Sequence, residues 1–175
     1  MQRPPDAMLK AIAFLDSISL WSGRIVAVLI IPMVLSLVYE VVARYIFDAP
    51  TEWAYDMTFM LYGTFFMVGS AYTLYKKGHI RTDSYYANWS TRTQGWVDTI
   101  CYLLFFFPPL IAFLVVGWDY FLRSYGQGER IVTSPWMPIV YPFKFMIPLA
   151  TLLLLLQGLS ELMKSFWAAR KGEWL

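Results

Sequence analysis

The chain has 175 residues, of which 58% are hydrophobic and 15% charged, with a formal net charge of +2. Together with a mean hydropathy of +0.50, this composition excludes an ordinary soluble domain. Four apolar stretches, at about 20–47, 53–75, 97–120 and 142–167, are each about long enough to cross a bilayer core of ~30 Å. They predict an all-α integral membrane protein with four long transmembrane helices, partly kinked or tilted, in a single domain over residues 1–175.

Lys and Arg are distributed unevenly between the two sides of the four stretches. Ten of the 14 lie before or at the start of the first stretch, between the second and third, or after the fourth. The other four lie on the opposite side. By the positive-inside rule, both termini are expected in the cytoplasm. The first apolar run is broken by Asp16 and lacks a small-x-small cleavage site, which argues against a cleaved signal peptide.

The first stretch is preceded by an amphipathic segment and contains a proline and two charges. Residues 8–18 either lie at the membrane surface or extend the first helix into the cytoplasm. Pro32 removes one backbone hydrogen bond and predicts a kink. Glu40 and Arg44 are four residues apart on one helical face, which allows an ion pair. At that depth they should face protein rather than lipid.

The second stretch opens with acidic residues. Glu52 and Asp56 flank Trp53, and both carboxylates are favourable near a helix N-terminus. Either acid is also an alternative partner for Arg44, across the short turn at 48–51.

The connection at 76–94 mixes aromatic and polar residues, as expected of a segment in the headgroup region. Thr82 or Asp83 is a suitable N-cap for a short interfacial helix between the second and third spans. The basic residues of this connection form a rim that could bind anionic lipid. The residues assigned to this cytoplasmic interface are Lys76, Lys77, His79, Arg81 and Asp83.

The third and fourth stretches carry few polar groups. Pro108 and Pro109 predict a kink in the third, where Cys101 is interpreted as a buried structural thiol. Lys144, near the start of the fourth, is interpreted as a lysine that extends to the interface, with Glu40 or a lipid phosphate as alternative partners. Gln157 is expected to make an interhelical hydrogen bond.

The sequence contains no candidate site for catalysis, a metal or a cofactor. A single histidine, His79, cannot supply two axial ligands to a membrane haem, and a single cysteine lacks partners for a metal site. His79 is interpreted as an interfacial hydrogen-bonding residue, with a proton relay as the alternative. No phosphate-binding loop, catalytic triad or acid pair is present, so neither a cofactor nor a nucleic-acid partner is expected. Ionisable residues cluster at the ends of the stretches, which indicates a scaffold that needs a partner.

Several local patterns occur in an order that resembles the small membrane subunit (DctQ-type) of tripartite ATP-independent periplasmic, or TRAP, transporters. The similarity covers nearly the whole chain, and the branch it resembles most is the one often labelled mannitol/chloroaromatic compound. The patterns are Glu40-x-x-x-Arg44-Tyr45-x-Phe47 with Pro50-Thr51-x-Trp53, then Gly78-His79-Ile80-Arg81-x-Asp83, then Ser134-Pro135-x-x-Pro138, and finally Lys144-x-x-x-Pro148-Leu149 with Leu155-Leu156-Gln157-Gly158.

The resemblance implies a three-part secondary transporter in the bacterial inner membrane, without enzymatic activity. A periplasmic binding protein would capture the solute, with carboxylates such as 2-oxo acids as typical cargo of the family. A large, elevator-type (DctM-like) subunit would move it by symport with sodium. The small subunit would pack against the large one and hold it in the membrane, with lipids around it.

The resemblance also implies roles for particular residues. Glu40, Arg44 and Trp53 would be structural or at the subunit interface, and we place Asp56, Lys144 and Gln157 in the same group. The outer loop could help to receive the binding protein. The residues of that loop assigned to this contact are Ser134, Pro135, Trp136 and Pro138.

Two other classes of protein fit parts of the pattern. A small multidrug exporter also has four short helices with an acid in the first, and acts alone as a proton-coupled dimer. Glu40, however, lies toward the outer end of its helix and is matched by Arg44. A membrane anchor of a redox enzyme is the second alternative, and the single histidine argues against it.

Overall fold

The computed structural model describes residues 4–78 and 86–175, and the prediction of an all-α protein is confirmed for them. Within these two ranges there is no strand, only an isolated antiparallel bridge between Arg130 and Ile139. The predicted interfacial helix and its cap at Thr82 or Asp83 fall mainly outside them. The helices are α1 (Asp6–Ala27), α2 (Ile30–Ile46), α3 (Ala54–Tyr75), α4 (Thr91–Cys101), α5 (Phe107–Gln127) and α6 (Tyr141–Lys171), and a π-helical turn (Tyr102–Phe106) joins α4 to α5.

A turn at Val28 and Leu29 separates α1 from α2, four residues before Pro32. Pro32 has no N–H to donate to the Val28 carbonyl, and its ring crowds that oxygen. Ile31 N–H bonds to the Val28 carbonyl instead, at 3.1 Å, in a tighter turn. The proline therefore accounts for the interruption. Residues 8–18 lie within α1, which agrees with the alternative that they extend the first helix.

The π-helical turn before α5 also has a proline origin. Pro108 and Pro109 have no N–H groups, so the carbonyls of Leu104 and Phe105 lack their α-helical donors. Phe107 N–H reaches back five residues to the Tyr102 carbonyl. The helix is widened at this point rather than broken, since it continues through a hydrogen bond of the longer π-helical type.

Three helical segments of the described chain are long and apolar enough to cross a membrane. They are Asp6–Ile46, Thr91–Gln127 and Tyr141–Lys171, with 41, 37 and 31 residues. Each is longer than the apolar stretch read from the sequence. The second predicted span corresponds to α3, which has 22 residues but a less apolar composition, since tyrosine, threonine, glycine and serine occur along it.

The helix α6 is the centre of the bundle and packs against α1, α3, α4 and α5. Much of its buried surface is small or polar, as is usual where membrane helices approach closely. Gly95 of α4 lies against the backbone of α6, and a Cβ added there would come within 2.7 Å of the Ser165 carbonyl oxygen. An apolar cluster around Val26, Val68 and Ala150 fills the space between α1, α3 and α6.

Candidate functional site

The charged side chains of the helix bundle and the polar groups bonded to them form two groups, one at each end. We call the end where α1 begins and α6 finishes the terminal end. The opposite end, with the α2–α3 and α5–α6 connections, is the loop end. The sequence between these groups carries no charged residue from Ile25 to Tyr39, from Met57 to Tyr75 or from Thr99 to Trp118.

Glu40 closes the α2–α3 hairpin at the loop end. Arg44 Nε donates a hydrogen bond to Glu40 Oε1 at 2.8 Å within α2. The second carboxylate oxygen accepts from the Thr51 backbone N–H at 2.9 Å and from the Thr51 hydroxyl. One carboxylate thus joins its own helix to the turn that follows it. Trp53 packs beside this turn, with its ring 5.7 Å from that of Tyr39.

Asp56 bonds to the α5–α6 connection rather than to Arg44. Ser134 Oγ donates to Asp56 Oδ2 and accepts from the Trp136 N–H at 3.3 Å. Ile131 N–H bonds to the Pro138 carbonyl at 3.1 Å, and Arg130 Nη1 bonds to the Met137 carbonyl at 3.1 Å. The loop is therefore cross-linked internally and attached to α3.

Lys144 forms an ion pair within the chain at the loop end of the bundle. Lys144 is only 7% exposed, and its ammonium donates to Glu129 Oε2 and lies 3.8 Å from the centroid of the Tyr120 ring. Its partner in the described part of the chain is Glu129 rather than Glu40. The reason is geometric: α5 ends beside the start of α6, and the loop brings Glu129 back over Lys144.

Glu129 makes the stability of the loop end dependent on pH. The hydrogen bond from Lys144 holds the pKa of Glu129 below its ordinary value. A carboxyl group with a lowered pKa in the folded state stabilises it above its unfolded pKa of about 4.3, and this contribution is lost as pH falls. We expect the melting temperature in detergent of Glu129→Gln to approach that of the wild type as the pH falls below about 4.3, with the difference largest near neutral pH. A difference that stays constant with pH contradicts this coupling.

A second polar cluster at the terminal end was not predicted from the sequence. Lys164 Nζ lies 2.9 Å from Asp16 Oδ2 and 2.8 Å from Glu161 Oε1. Ser160 Oγ and Gln157 Nε2 also donate to Asp16 Oδ1, at 2.6 and 3.0 Å. Asp16 is on α1 and the other four are on α6, so this terminal cluster fastens the first helix to the last.

A sequence signal for the terminal cluster was present. Residues 157, 160, 161 and 164 follow the i, i+3, i+4, i+7 spacing that places side chains on one helical face. Asp16 interrupts an apolar run in the first helix. A polar stripe and an isolated acid in two membrane helices indicate a polar helix contact. The expected interhelical hydrogen bond of Gln157 is the part of this cluster that the sequence did indicate.

The basic residues of the α3–α4 connection lie against aromatic rings where the structure describes them. Lys76 Nζ is 5.2 Å from the centroid of the Tyr75 ring, and Lys77 Nζ is 5.2 Å from that of Trp174. His79, Arg81 and Asp83 are outside the described residues. Cys101 is exposed on the outside of the bundle, so its interpretation as a buried thiol is wrong.

The fold and these sites define a class of protein. Long apolar helices carry paired charges at the ends of the bundle, and in the described part of the chain no three His, Cys, Asp or Glu side chains come together to hold a metal. This is the architecture of a polytopic membrane protein held together by polar helix contacts.

Residues 33–167 match the family described as tripartite ATP-independent periplasmic transporters, DctQ component. This match covers well over half of the chain, and the protein therefore belongs to that family. The resemblance seen in the motifs is confirmed. No match was found among curated proteins. The family consists of transporter components rather than enzymes, and with the membrane-spanning helices it makes the chain a multi-pass inner-membrane protein.

Proposed function

We propose that the chain is the scaffold subunit of a sodium-driven importer of a small organic acid or related solute. A periplasmic binding protein delivers the solute, and a large elevator-type membrane subunit carries it across. The small subunit binds the large one and anchors it in the bilayer. Family membership over residues 33–167 supports this assignment.

The observation that carries the proposal is the absence of charge from the middle of the apolar stretches. Transporters that move ions or charged solutes place polar groups or broken helices near the bilayer midplane. The described charged groups with assigned partners lie at the ends of the helices, where Glu40, Asp16 and Glu129 are each bonded within the chain. Sodium and substrate sites accordingly belong to the large subunit.

The proposed topology has four spans with both termini in the cytoplasm. The excess of Lys and Arg at the terminal end supports this orientation. The 22 residues of α3 reach about 33 Å, enough for the hydrocarbon core. The hydroxyl groups of α3 suit a membrane, because Thr58, Ser70 and Thr73 bond back to carbonyls of their own helix.

We assign the contact with the binding protein to the α5–α6 connection, which lies on the periplasmic side in this topology. The loop is attached to α3 through Ser134, so it presents a defined surface. In this loop, Trp136 is 39% exposed and Val132 is 79% exposed. An exposed aromatic and aliphatic pair on an ordered loop is suited to a transient protein contact.

The exporter alternative finds no support at Glu40. A proton-coupled exporter needs a carboxyl group that is open to protons and substrate in turn. Both oxygens of Glu40 are occupied by Arg44 and Thr51 in the described structure.

Affinity purification of the tagged chain from its native membrane tests the subunit assignment. We expect one large polytopic protein in stoichiometric yield, identified by mass spectrometry. Proteoliposomes with both proteins and the binding protein should take up solute only when a sodium gradient is imposed. Recovery of the chain as a homodimer, with transport by that dimer alone, contradicts the proposal.

Loss of Glu40 should reduce assembly with the large subunit and leave the choice of substrate unchanged. Glu40→Ala leaves the Thr51 N–H and Arg44 without their acceptor, so the α2–α3 turn loosens. We expect the recovered large subunit to fall several-fold, with the ranking of transported solutes unchanged. Asp119→Ala is the matched control, because it breaks an exposed i,i+4 pair with Arg123 on α5. Normal assembly with an altered ranking contradicts a structural role for Glu40.

A further inference from the structure

The turn between α2 and α3 carries negative charge that no described residue neutralises. Asp48 and Glu52 are both exposed, and neither forms an ion pair or a side-chain hydrogen bond with another described residue. Asp56, in the first turn of α3, accepts its bond from the neutral hydroxyl of Ser134, which leaves its charge uncompensated. Residues 45–75 contain no Lys or Arg. Three carboxylates therefore lie close together in the sequence without a basic partner.

The cations at the same end of the bundle do not compensate these acids. Three of the four are paired with other acids of the chain. The pairs are Arg44–Glu40, Arg123–Asp119 and Lys144–Glu129. The fourth, Arg130, donates to the Met137 carbonyl within the α5–α6 connection. Residues 40–56 and 119–144 together hold six acidic and four basic residues, a net charge of −2, and four of the six acids are in 40–56.

The turn holds its carboxylates in fixed positions. A backbone hydrogen bond of 3.0 Å from Ala49 to the Ala43 carbonyl closes the end of α2. Asp48 has a φ of +50°, in the left-handed region that Asp and Asn adopt more readily than most residues. Thr51 is bonded to α2 through its backbone N–H, and Glu52 follows it directly. Little conformational freedom is therefore lost when a partner binds the turn.

The turn and the α5–α6 connection belong to one surface at the loop end. The bond between Asp56 and Ser134 joins them. The connection exposes Trp136 and Val132, and Met137 is 49% exposed. Exposed apolar side chains with a charged border are typical of protein interfaces, in which a polar rim surrounds an apolar centre.

The position and the sign of the charge indicate the kind of partner. The turn lies beyond the apolar stretches, on the periplasmic side in the proposed topology. Anionic lipid headgroups would be repelled by its carboxylates. A large subunit packed over the turn would have to remove three carboxylates from water, which is costly unless each meets a buried cation. A soluble protein with basic side chains instead gains from long-range attraction before contact.

On the basis of the proposed function, we propose that the periplasmic binding protein docks on this surface with basic residues over Asp48, Glu52 and Asp56, and with an apolar contact at Trp136. The side of the binding protein that faces the membrane is accordingly basic. The three acids act mainly on the rate of association, because charges at the rim of an interface steer the encounter more than they hold the complex together.

Surface plasmon resonance tests the proposal on the purified complex of both membrane subunits in nanodiscs of zwitterionic lipid. The probe is the purified binding protein, with potassium chloride varied from about 30 to 300 mM. We expect the association rate of the wild type to fall as salt rises. The double variant Asp48→Asn, Glu52→Gln should associate about tenfold more slowly at low salt, with a weaker salt dependence. Asn is compatible with the left-handed conformation at position 48, so the turn is preserved.

Two further variants make the test specific to this surface. Glu173→Gln removes an exposed carboxylate at the terminal end, which faces the cytoplasm in the proposed topology, and should bind as the wild type does. Glu52→Lys should slow association more than Glu52→Gln, because it replaces an attractive charge by a repulsive one.

Each contrary outcome has a distinct meaning. An association rate that is independent of salt, or unchanged in the double variant, overturns the docking surface and leaves the proposed function standing. Loss of the large subunit from the double variant also overturns it, since the turn would then belong to the contact between the membrane subunits. A wild-type complex that does not bind the binding protein contradicts both the docking surface and the proposed function.

Discussion

Replacing Lys164 by methionine is expected to destabilise the protein by about 3 kcal/mol, because it leaves two carboxylates without their shared cation in a largely buried site. Lys164 and Glu161 side chains are 14% and 8% exposed, and that of Asp16 is 20% exposed. Their repulsion would act across the α1–α6 contact. The measurement is unfolding by SDS in mixed micelles, followed by circular dichroism.

The comparison that isolates the terminal cluster uses a second lysine and a double variant. Lys10 is exposed on α1, and Lys10→Met should change the unfolding midpoint little. Adding Asp16→Asn to Lys164→Met removes one of the two unpaired charges and should recover part of the lost stability. If Lys164→Met unfolds at the same SDS concentration as Lys10→Met, the terminal cluster does not hold α1 to α6.

Replacing Gly95 by alanine is expected to destabilise the protein by a similar amount, about 2–3 kcal/mol, because the added Cβ would overlap α6. The added Cβ would lie 2.7 Å from the Ser165 carbonyl oxygen and 2.8 Å from the Ala168 carbonyl carbon. Both are backbone atoms of α6, so no side-chain rotation can relieve the contact. The whole of α4 would have to move away from α6. The same SDS titration measures the loss.

Two other glycine variants make this prediction specific. Gly69 is inside α3 with no atom within 4 Å of an added Cβ, so Gly69→Ala should be neutral or stabilising through helix propensity. Gly158→Ala meets the ring of Phe106, which is a side chain, and Phe106→Leu should restore much of its stability. A Gly95→Ala variant as stable as Gly69→Ala would mean that α4 and α6 do not approach as closely as described.

The Lys164 and Gly95 variants would both make the helix bundle less rigid, and the proposed scaffold role requires a rigid bundle. An elevator-type partner must move its transport domain against a part that stays still. The terminal cluster and the Gly95 contact join helices that are distant in the chain, and Glu40 joins α2 to the turn that follows it. Variants that loosen any of them should therefore reduce transport in the assembled complex in proportion to the loss of assembled protein.

The apolar stretches and the charges at their ends were predictable from the sequence, because lipid as a solvent restricts composition directly. The all-helical fold, the interruption near Pro32 and the irregularity at Pro108 follow from this and from proline chemistry. The order of motifs also sufficed for the family, which the match over residues 33–167 confirms. The i,i+4 spacing of Glu40 and Arg44 similarly placed their ion pair.

The tertiary structure alone decided which distant groups meet. Asp16 and Lys164 are 148 residues apart, and Asp56 and Ser134 are 78 apart. Their pairing depends on how each helix is rotated and how deep it lies against α6, which local periodicity leaves open. The partner of Lys144 was not predicted for that reason, since Glu129 lies on a loop. Cys101 was misplaced because the rotation of its helix against α6, which buries Gly95 and Thr99, leaves Cys101 exposed. Composition therefore determined that the chain spans a membrane, whereas packing determined which of its polar groups hold it together.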